Sequence, residues 1–442
     1  MHGEKGAVCK DLVDHFVPIS IMEKDAIADR CKALKIDGVV SNASDKTSLT
    51  TAYVAEKLGL HTTPYSQLLK IKDKNWVRQQ TNNILGLTSI RFEKVNFQRI
   101  KEKIFYPCVI KPITGAAKVG VNFLNSENDF NTLQIDEALK ESDFLIEEYI
   151  KGREVSVESL SYEGQHNVIQ ITDKISTGAP HFAELGHNQP ADLPQHISEQ
   201  ICKLIPEILT AVNFTNGASH IELKISPDNR IYLIEINPRG GGGQISNRLV
   251  TLSTDCDYIK ELINISIGSY AYKPTTNTAF CGIRFLCEQT KHLLHYAINA
   301  KDYPEIIEYK YDGTPLIEQR TNYERNGYIL FVSKDKKTKI DKVRIQRIQD
   351  IDNWENLFKD FITELANEEE NAKAYLDVKW QEKITKYGEI LTFSQNQVPK
   401  IIGWILIYCN EEKTLTAYCA GFNVLKRYRG GGDRERIVSN SN

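Results

Sequence analysis

The stretch from His220 to Arg239 restricts what this chain can fold into. Ile221 to Ile225 alternates apolar and polar residues, and so does Ile231 to Asn237, a period of two that reads as strand. Between them Ser226-Pro227-Asp228-Asn229-Arg230 is turn chemistry. With Asp228 and Asn229 as a two-residue loop, Glu222 faces Glu235 and His220 faces Asn237, all on one side of a hairpin. On the other side Ile221 meets Ile236 and Leu223 meets Ile234, as core. Two carboxylates directly opposite each other repel; a cation between them reverses the sign. Two carboxylates and an amide suit a hard ion such as magnesium, which keeps waters and takes further ligands from phosphate oxygens. Glu222, Glu235 and Asn237 are therefore the candidate metal ligands. Solvated glutamates on an exposed hairpin are the bland alternative. Asn237-Pro238-Arg239 and the run Gly240 to Gly243, which follow at once, favour the site.

With 442 residues the chain has room for two to four domains and a sizeable core. A formal charge of −3 gives no basic surplus for nucleic acid or an anionic membrane. Nine cysteines occur without a Cys-x-x-Cys pair or a Cys/His cluster, which argues against disulfides and zinc and for reduced thiols in the cytoplasm. The start of the chain lacks the basic-then-apolar pattern of a secretory signal. The longest apolar run, Ile401 to Cys409, is too short to span a bilayer and reads as a buried strand.

Along the chain, Asp14 to Ile19 and Gly38 to Ser41 read as strands, and Glu23 to Leu34 and Leu49 to Leu58 as helices, the second stopping at Gly59. This alternation predicts a small parallel α/β unit. Lys70 to Leu85 reads as one helix. Strand Val109 to Lys111 leads through Thr114-Gly115-Ala116-Ala117-Lys118-Val119-Gly120 to strand Val121 to Leu124 and a polar helix, Glu127 to Lys140. Strands Phe144 to Glu147 and Glu154 to Leu160 follow, then helices His196 to Val212 and Asp257 to Ile267 on either side of the hairpin. Beyond Pro274 strands and turns run to about Arg344. Past Asp350 two charged helices precede strands Ile390 to Phe393, Ile401 to Tyr408 and Leu415 to Val424.

Glu222 followed by Glu235-x-Asn237-x-Arg239 resembles the metal-binding signature of the ATP-grasp superfamily. Lys74, in Lys72-Asp73-Lys74, stands where that family has its first nucleotide-contacting lysine, and Ile110-Lys111-Pro112 looks like the second. Glu147-Glu148-Tyr149-Ile150 followed by Gly152-Arg153-Glu154 resembles the adenine hinge and the ribose acid. The resemblance spans about Asp14 to Arg344. It implies ATP held between two α+β subdomains, with magnesium or manganese. Lys74 and Lys111 would meet phosphates as point charges. Gly115, Lys118 and Gly120 would belong to a lid whose backbone approaches phosphate. Glu147 would accept from the adenine amino group beside Glu148 and Tyr149, the Ile150 backbone would contact the ring, and Glu154 would accept from the ribose. Glu158 shares a face with Glu154 by alternation, as a supporting acid or a solvated one. Arg239 would clamp a developing phosphate or a substrate carboxylate through its fork of donors.

The family's reaction is carboxylate–amine ligation through an acyl phosphate. Thr172-Asp173-Lys174 leading to Phe182-Ala183-Glu184-Leu185-Gly186-His187 resembles the L-amino-acid ligase branch, where the Glu-x-x-His pair lines the amino-acid site. By that analogy Glu184 binds an α-amino group and His187 orients the nucleophile or the acyl phosphate. The implied partners are small carboxylate and amine substrates, amino acids first, with no nucleic acid and no membrane; a homodimer is compatible. A biotin-carboxylase-like reading lacks a biotinyl-lysine segment, and the chain is short for a duplicated carbamoyl-phosphate synthetase. A nucleotide-binding protein without turnover and a ligase–acetyltransferase fusion are the alternatives.

The expected fold class is α+β. An incomplete pre-ATP-grasp α/β domain (1–65) precedes the ATP-grasp domain (66–270, lid about 108–145). A β-rich region (271–345) and a partial GNAT-acetyltransferase-like module (350–442) follow. The N-terminal expectation rests on the lack of a glycine-rich strand–turn–helix before Asp14. The C-terminal one rests on Arg429 and Gly432, which resemble the GNAT pyrophosphate loop, with Arg434 at its last small position and a polar tail after it.

Overall fold

A computed structural model describes residues 10–114, 120–333, 343–347, 354–368, 389–395, 401–411 and 416–424. The chain divides into two compact units. The first comprises Met1–Phe285, Pro304–Gly313 and Gln319–Lys336, and the second Leu286–Tyr303, Thr314–Glu318 and Lys337–Asn442.

Helices α1 (Lys24–Leu34), α2 (Asp45–Leu58), α3 (Tyr65–Lys72) and α4 (Lys74–Thr81) come first. Then follow β1 (Phe92–Asn96), β2 (Cys108–Pro112), β3 (Asn122–Leu124), α5 (Glu127–Asn131) and β4 (Asp143–Glu148). Next are β5 (Arg153–Tyr162), β6 (Gln165–Ser176), β7 (Glu184–Gln189), α6 (Gln195–Ala211), β8 (Gly217–Ile225) and β9 (Ile231–Asn237). Helices α7 (Val250–Ser253) and α8 (Tyr258–Ser266) lead to β10 (Phe280–Leu286), α9 (Leu294–Ile298), β11 (Ile306–Tyr311) and β12 (Gly327–Ser333). Last come β13 (Val343–Arg347), α10 (Trp354–Glu368), β14 (Glu389–Gln395), β15 (Ile401–Glu411) and β16 (Thr416–Val424).

The first unit holds two sheets. A small one has the order β1-β4-β2-β3, and an eight-stranded one the order β11-β12-β10-β7-β6-β5-β8-β9. Helix α6 shows why the large sheet is stable. Ile197, Ile201, Leu204, Ile205, Ile208 and Leu209 form one buried stripe, which packs on Val155, Val157, Ile221, Leu223 and Ile236 of the sheet. Each such aliphatic side chain contributes roughly 1.5–3 kcal/mol when fully buried. A second core, with Ile100, Cys108, Ile110, Phe144 and Ile146, holds the small sheet.

The expected N-terminal strands do not form: among described residues 10–64 the regular elements are helical. Carbonyls just beyond the two passes bond to other segments and not to a neighbouring strand. Asn42 O accepts from Gly240 N–H at 2.6 Å, and Ile21 O from the Thr50 hydroxyl at 2.8 Å. The helix expected from Lys70 to Leu85 is two helices, because the Asp73 side chain accepts from Trp76 N–H and starts α4 afresh. The expected helix Glu127 to Lys140 is only α5 and a 3-10 turn at Glu137–Leu139.

The hairpin forms with its acidic register as expected, Glu222 opposite Glu235 and His220 opposite Asn237. Its turn is longer than two residues. Ile225 pairs with Ile231, the Ser226 N–H donates to Arg230 O, and Asn229 adopts φ 65°. A bulge after Glu222 absorbs the difference, so Leu223 pairs with Leu233 and not with Ile234. Ile234, expected in the core, lines the cleft described below.

In the second unit β13-β14-β15-β16 form a four-stranded antiparallel sheet, and α10 buries Phe358, Phe361, Ile362 and Leu365. The second expected helix of this region and the Arg429–Arg434 loop lie outside the described residues. Among the described residues no helix is long and apolar enough to cross a membrane.

Candidate functional site

A cleft of about 630 Å³ opens in the first unit. Of the residues singled out from the sequence, Lys74, Lys111, Glu147 to Ile150, Glu154, Glu184, Glu222, Glu235, Asn237 and Arg239 all line it. His187 is fully buried beside it. Gly120, at φ 72°, packs on Pro112 and Leu139, where a Cβ would come within 2.8 Å of Pro112. Gly115 and Lys118 lie outside the described residues.

At one end Glu147 is buried between two cations. Arg78 Nε lies 2.6 Å from one carboxylate oxygen and Lys111 Nζ 2.6 Å from the other. Burial opposes the charge, but Arg78 and Lys111 outweigh it and hold the carboxyl at about 2. Burial also pushes the Lys111 ammonium down, with Arg78 and Lys74 adding to it against the pull of Glu147. An adenine amino group would meet Glu147 only as a third partner. Arg78 also donates to Ile234 O at 2.7 Å, so the bulge of β9 is tied to this cluster. Apolar surface from Ile90, Val109, Tyr149 and Ile234 lines the cleft. Lys224 donates to Ile150 O at 3.1 Å and sits 5.0 Å over the Tyr149 ring.

On the hairpin face Lys74 Nζ lies 3.2 Å from Glu235, and Lys174 Nζ lies 2.6 Å from Glu222. Lys174 also reaches Glu154 and Glu184, each at 3.1 Å, with 1% of its side chain exposed. Burial opposes its charge, yet Glu222, Glu184 and Glu154 raise its pKa well above the ordinary lysine value. The repulsion between Glu222 and Glu235 is thus relieved by protein cations, not by a metal alone as the pairing argument expects. His220 stands next to them, with Nδ1 donating to Glu158 and Nε2 3.4 Å from Glu222. Burial lowers its pKa, but Glu158 and Glu222 raise it further, to about 9, so the imidazole is charged at neutral pH. Glu158 is wholly buried and is the supporting acid, not the solvated one: its second oxygen accepts from Gly241 N–H at 2.8 Å.

Another part of the cleft is built from β7. Glu184 lies 3.1 Å from Lys174, 3.3 Å from Arg325 and 3.6 Å from His187 Nε2. Arg325 lies 3.4 Å over the Phe285 ring. Burial drives the His187 pKa down to about 3, against the pull of Glu184, so this ring is neutral; among the described residues neither nitrogen has a hydrogen-bond partner. At the N-terminus of α2, Asp45 receives Lys72 at 2.9 Å and Arg239 Nε at 3.3 Å, while Arg239 Nη1 donates to Gly240 O at 2.9 Å. Burial raises the Asp45 pKa, but Arg239 and Lys72 bring it below the ordinary value.

Among the described residues no three His, Cys, Asp or Glu side chains converge as a cage for a metal. The hairpin's two carboxylates and the Asn237 amide instead fit an ion that draws its other ligands from water and phosphate. Asn237 is buried, and its Nδ2 has no hydrogen-bond partner among the described residues, while Oδ1 takes a long 3.4 Å bond from Lys72. Oδ1, with two lone pairs and one long bond, keeps acceptor capacity for a cation.

Sequence reasoning left Lys174, Arg78, Asp45 and Arg325 without a role. Lys174 carried the clearest signal: it sits two residues from Thr172 on the strand beside β5, and alternation puts it on the Glu154 face. The others depend on contacts between distant segments.

Residues 104–248 match the family model of the ATP-grasp domain. A D-alanine–D-alanine ligase of Rickettsia bellii is 32% identical over 183 residues, covering 39% of this chain and 54% of that protein. An alanine–anticapsin ligase of Bacillus subtilis is 26% identical over 219 residues, covering 43% and 46%. The chain spans about half the length of these curated relatives. An L-amino acid ligase from Bacillus licheniformis has a similar structure, with TM-score 0.60 and 22% identity over 72% of this chain and 82% of that one. The ADP complex of purK, an N5-carboxyaminoimidazole ribonucleotide synthetase, has TM-score 0.60 and 16% identity over 75% and 84%. The fold is the ATP-grasp fold, with mixed α and β content and antiparallel sheets.

Proposed function

We propose that the protein is an ATP-dependent carboxylate–amine ligase that joins amino-acid substrates by an amide or peptide bond through an acyl phosphate. One observation carries this reading: Glu222, Glu235 and Asn237 share a cleft with Lys74, Lys111 and Arg239. That set combines oxygen ligands for a hard cation with positive charges for phosphate. The named relatives are ligases of alanine and other amino acids, which supports it, and the related purK structure contains ADP.

Glu222, Glu235 and Asn237 would hold magnesium or manganese, which when bound neutralises phosphate oxygens and screens an approaching carboxylate. Lys74 exchanges Glu235 for phosphate, and Lys111 remains anchored on Glu147 while facing the cleft. Tyr149 and Ile150 bound the adenine end, and Glu154 accepts from the ribose. Arg239, pre-set by Asp45, clamps the transferring phosphate or the substrate carboxylate. Glu184 takes the amine, and neutral His187 behind it orients the nucleophile. No covalent nucleophile is required; orientation can lower such a barrier by roughly 7–11 kcal/mol.

The test is a screen of amino-acid pairs for ADP release, with mass spectrometry of the product. ADP should depend on both substrates and vanish in Glu235→Ala. Nucleotide binding without ADP release from any pair would sink the ligase reading in favour of a binding protein.

The same reading divides the chain into an N-terminal domain (1–65), the ATP-grasp domain (66–270, lid about 108–145), a β-rich region (271–345) and a GNAT-like module (350–442). It places the protein in the cytoplasm and is compatible with a homodimer. Helix α10 and the antiparallel strands β14 to β16, which lie within 350–442, support the GNAT-like assignment, and acetyl-CoA titration by calorimetry tests it.

A further inference from the structure

Lys174 is buried behind the cleft's acids and is not part of its wall. Its ammonium lies 2.6 Å from Glu222 and 3.1 Å from both Glu154 and Glu184, and its side chain is 1% exposed. Strand β6, in the middle of the large sheet, holds its backbone, so the charge cannot swing into solvent. Lys74, on Glu235, is more exposed at 11% and stands at the first turn of α4. The two hairpin carboxylates thus carry two protein cations that differ in burial, Lys74 the more exposed and Lys174 the more enclosed.

We infer that Lys174 is a placeholder that keeps the hairpin closed to free divalent cations and makes metal binding conditional on the nucleotide. The inference rests on the metal reading of Glu222, Glu235 and Asn237 given above. A divalent ion arriving alone must take Glu222 from Lys174 and Glu235 from Lys74, and then share a small buried volume with both ammonium groups. That repulsion is strong at these separations, where solvent screens weakly. A nucleotide changes the balance. Its phosphates take Lys74 from Glu235 and add anionic ligands to the ion. Lys174 loses one partner but keeps Glu154 and Glu184, so it shifts among its carboxylates without being stranded. The number of carboxylates around it is what makes this possible: with Glu222 as its single partner, the lysine would be left buried and unpaired by metal binding.

Lys174 is therefore a positioning residue, and its signature is a metal affinity rather than a rate. The experiment titrates the full chain with Mn²⁺, followed by electron paramagnetic resonance, with and without a non-hydrolysable ATP analogue. Wild-type protein should bind Mn²⁺ at least about tenfold more weakly without the analogue than with it. Lys174→Met should bind free Mn²⁺ about tenfold or more tightly than wild type, and Lys174→Arg, which keeps the charge, should not. A Lys174→Met protein that binds free Mn²⁺ no better than wild type overturns the placeholder while leaving the ligase reading intact. Wild-type protein that binds free Mn²⁺ as tightly as it does with the analogue overturns it even when the Met variant does not fold. Absence of Mn²⁺ binding with the analogue present overturns the metal site itself, and the placeholder with it.

Discussion

His220 donates from Nδ1 to Glu158, and both are buried under the glycine turn that follows the hairpin. The pair makes stability depend on pH. The folded pKa of His220 is about 9, above the ordinary 6.5, so its stabilising contribution is present in full below pH 6.5 and is lost as pH rises through 9. The shift corresponds to roughly 3 kcal/mol. Urea unfolding of wild-type protein should give a stability that falls between about pH 6.5 and pH 9.5. Glu158→Gln should be less stable at neutral pH, by roughly 3 kcal/mol, and should lose most of this slope. Equal slopes in the two proteins would show that the pair does not act this way.

Arg78 supports Glu147 from the other side of the cleft. Glu147 titrates at about 2 in the folded protein, below its ordinary 4.5, so its contribution is present above pH 4.5 and is lost as pH falls toward 2. Arg78→Met removes one of its two cations and also the donor to Ile234 O. Stability should drop by roughly 3–5 kcal/mol, the usual result of breaking a buried pair. Chemical denaturation at neutral pH measures it. A loss below about 1 kcal/mol, the range of a solvated pair, would contradict the burial argument.

The four glycines after the hairpin are not equivalent. A Cβ on Gly241 would sit 2.7 Å from Glu158 Oε1 and 2.9 Å from His220 Nδ1, whereas one on Gly242 would meet nothing within 4 Å. Gly241→Ala should cost roughly 1–3 kcal/mol and disturb the hairpin charges. Gly242→Ala should stay within about 0.5 kcal/mol of wild type. Paired thermal melts decide it, and the idea fails if the two variants melt together.

The hairpin separates what could be read in the sequence from what could not. Alternation gives both strands and puts Glu222 and Glu235 on one face, and the register there follows. The longer turn takes one residue from β8's side of the count and the bulge adds one on β9's side, so they offset at the acidic pair, and the site is legible although the turn length is not. Side chains that reach the cleft along a strand, such as Lys111 and Glu154, follow from local pattern. Arg78, Asp45 and Arg325 reach it through contacts with segments far away in the chain, and no spacing encodes that. The N-terminal strands fail for a related reason: Val39 and Val40 have strand-like side chains, but a strand exists only where another edge pairs with it.

Asn229 carries the cost of the longer turn. It sits at φ 65°, a region that glycine and asparagine enter at little cost and β-branched residues do not. Asn229→Gly should leave stability within about 0.5 kcal/mol, and Asn229→Val should lose roughly 1–2 kcal/mol. Metal-dependent nucleotide binding should survive both, because neither substitution changes the length of the turn or the bulge that together set the acidic register. Loss of that binding in Asn229→Gly, measured by calorimetry with the fold intact, would mean that turn and site are coupled after all.

The ligase reading gives Arg239 a task that needs a fork of donors. Its Nε lies 3.3 Å from Asp45 and its Nη1 donates to Gly240 O, so the guanidinium plane is fixed at the edge of the cleft before any ligand arrives. Lysine keeps the charge but loses the paired donors and the plane. Arg239→Lys should therefore lower kcat by about 10²-fold or more, the scale of removing one oriented donor from a transition state, with a smaller change in nucleotide affinity. Asp45→Asn weakens the orientation without touching the guanidinium, and its kcat should fall less, by roughly tenfold. ADP release under saturating substrates, together with nucleotide binding by calorimetry, separates the two effects. If Arg239→Lys instead raises KM and leaves kcat unchanged, the residue binds ground-state substrate and has no special hold on the transferring phosphate.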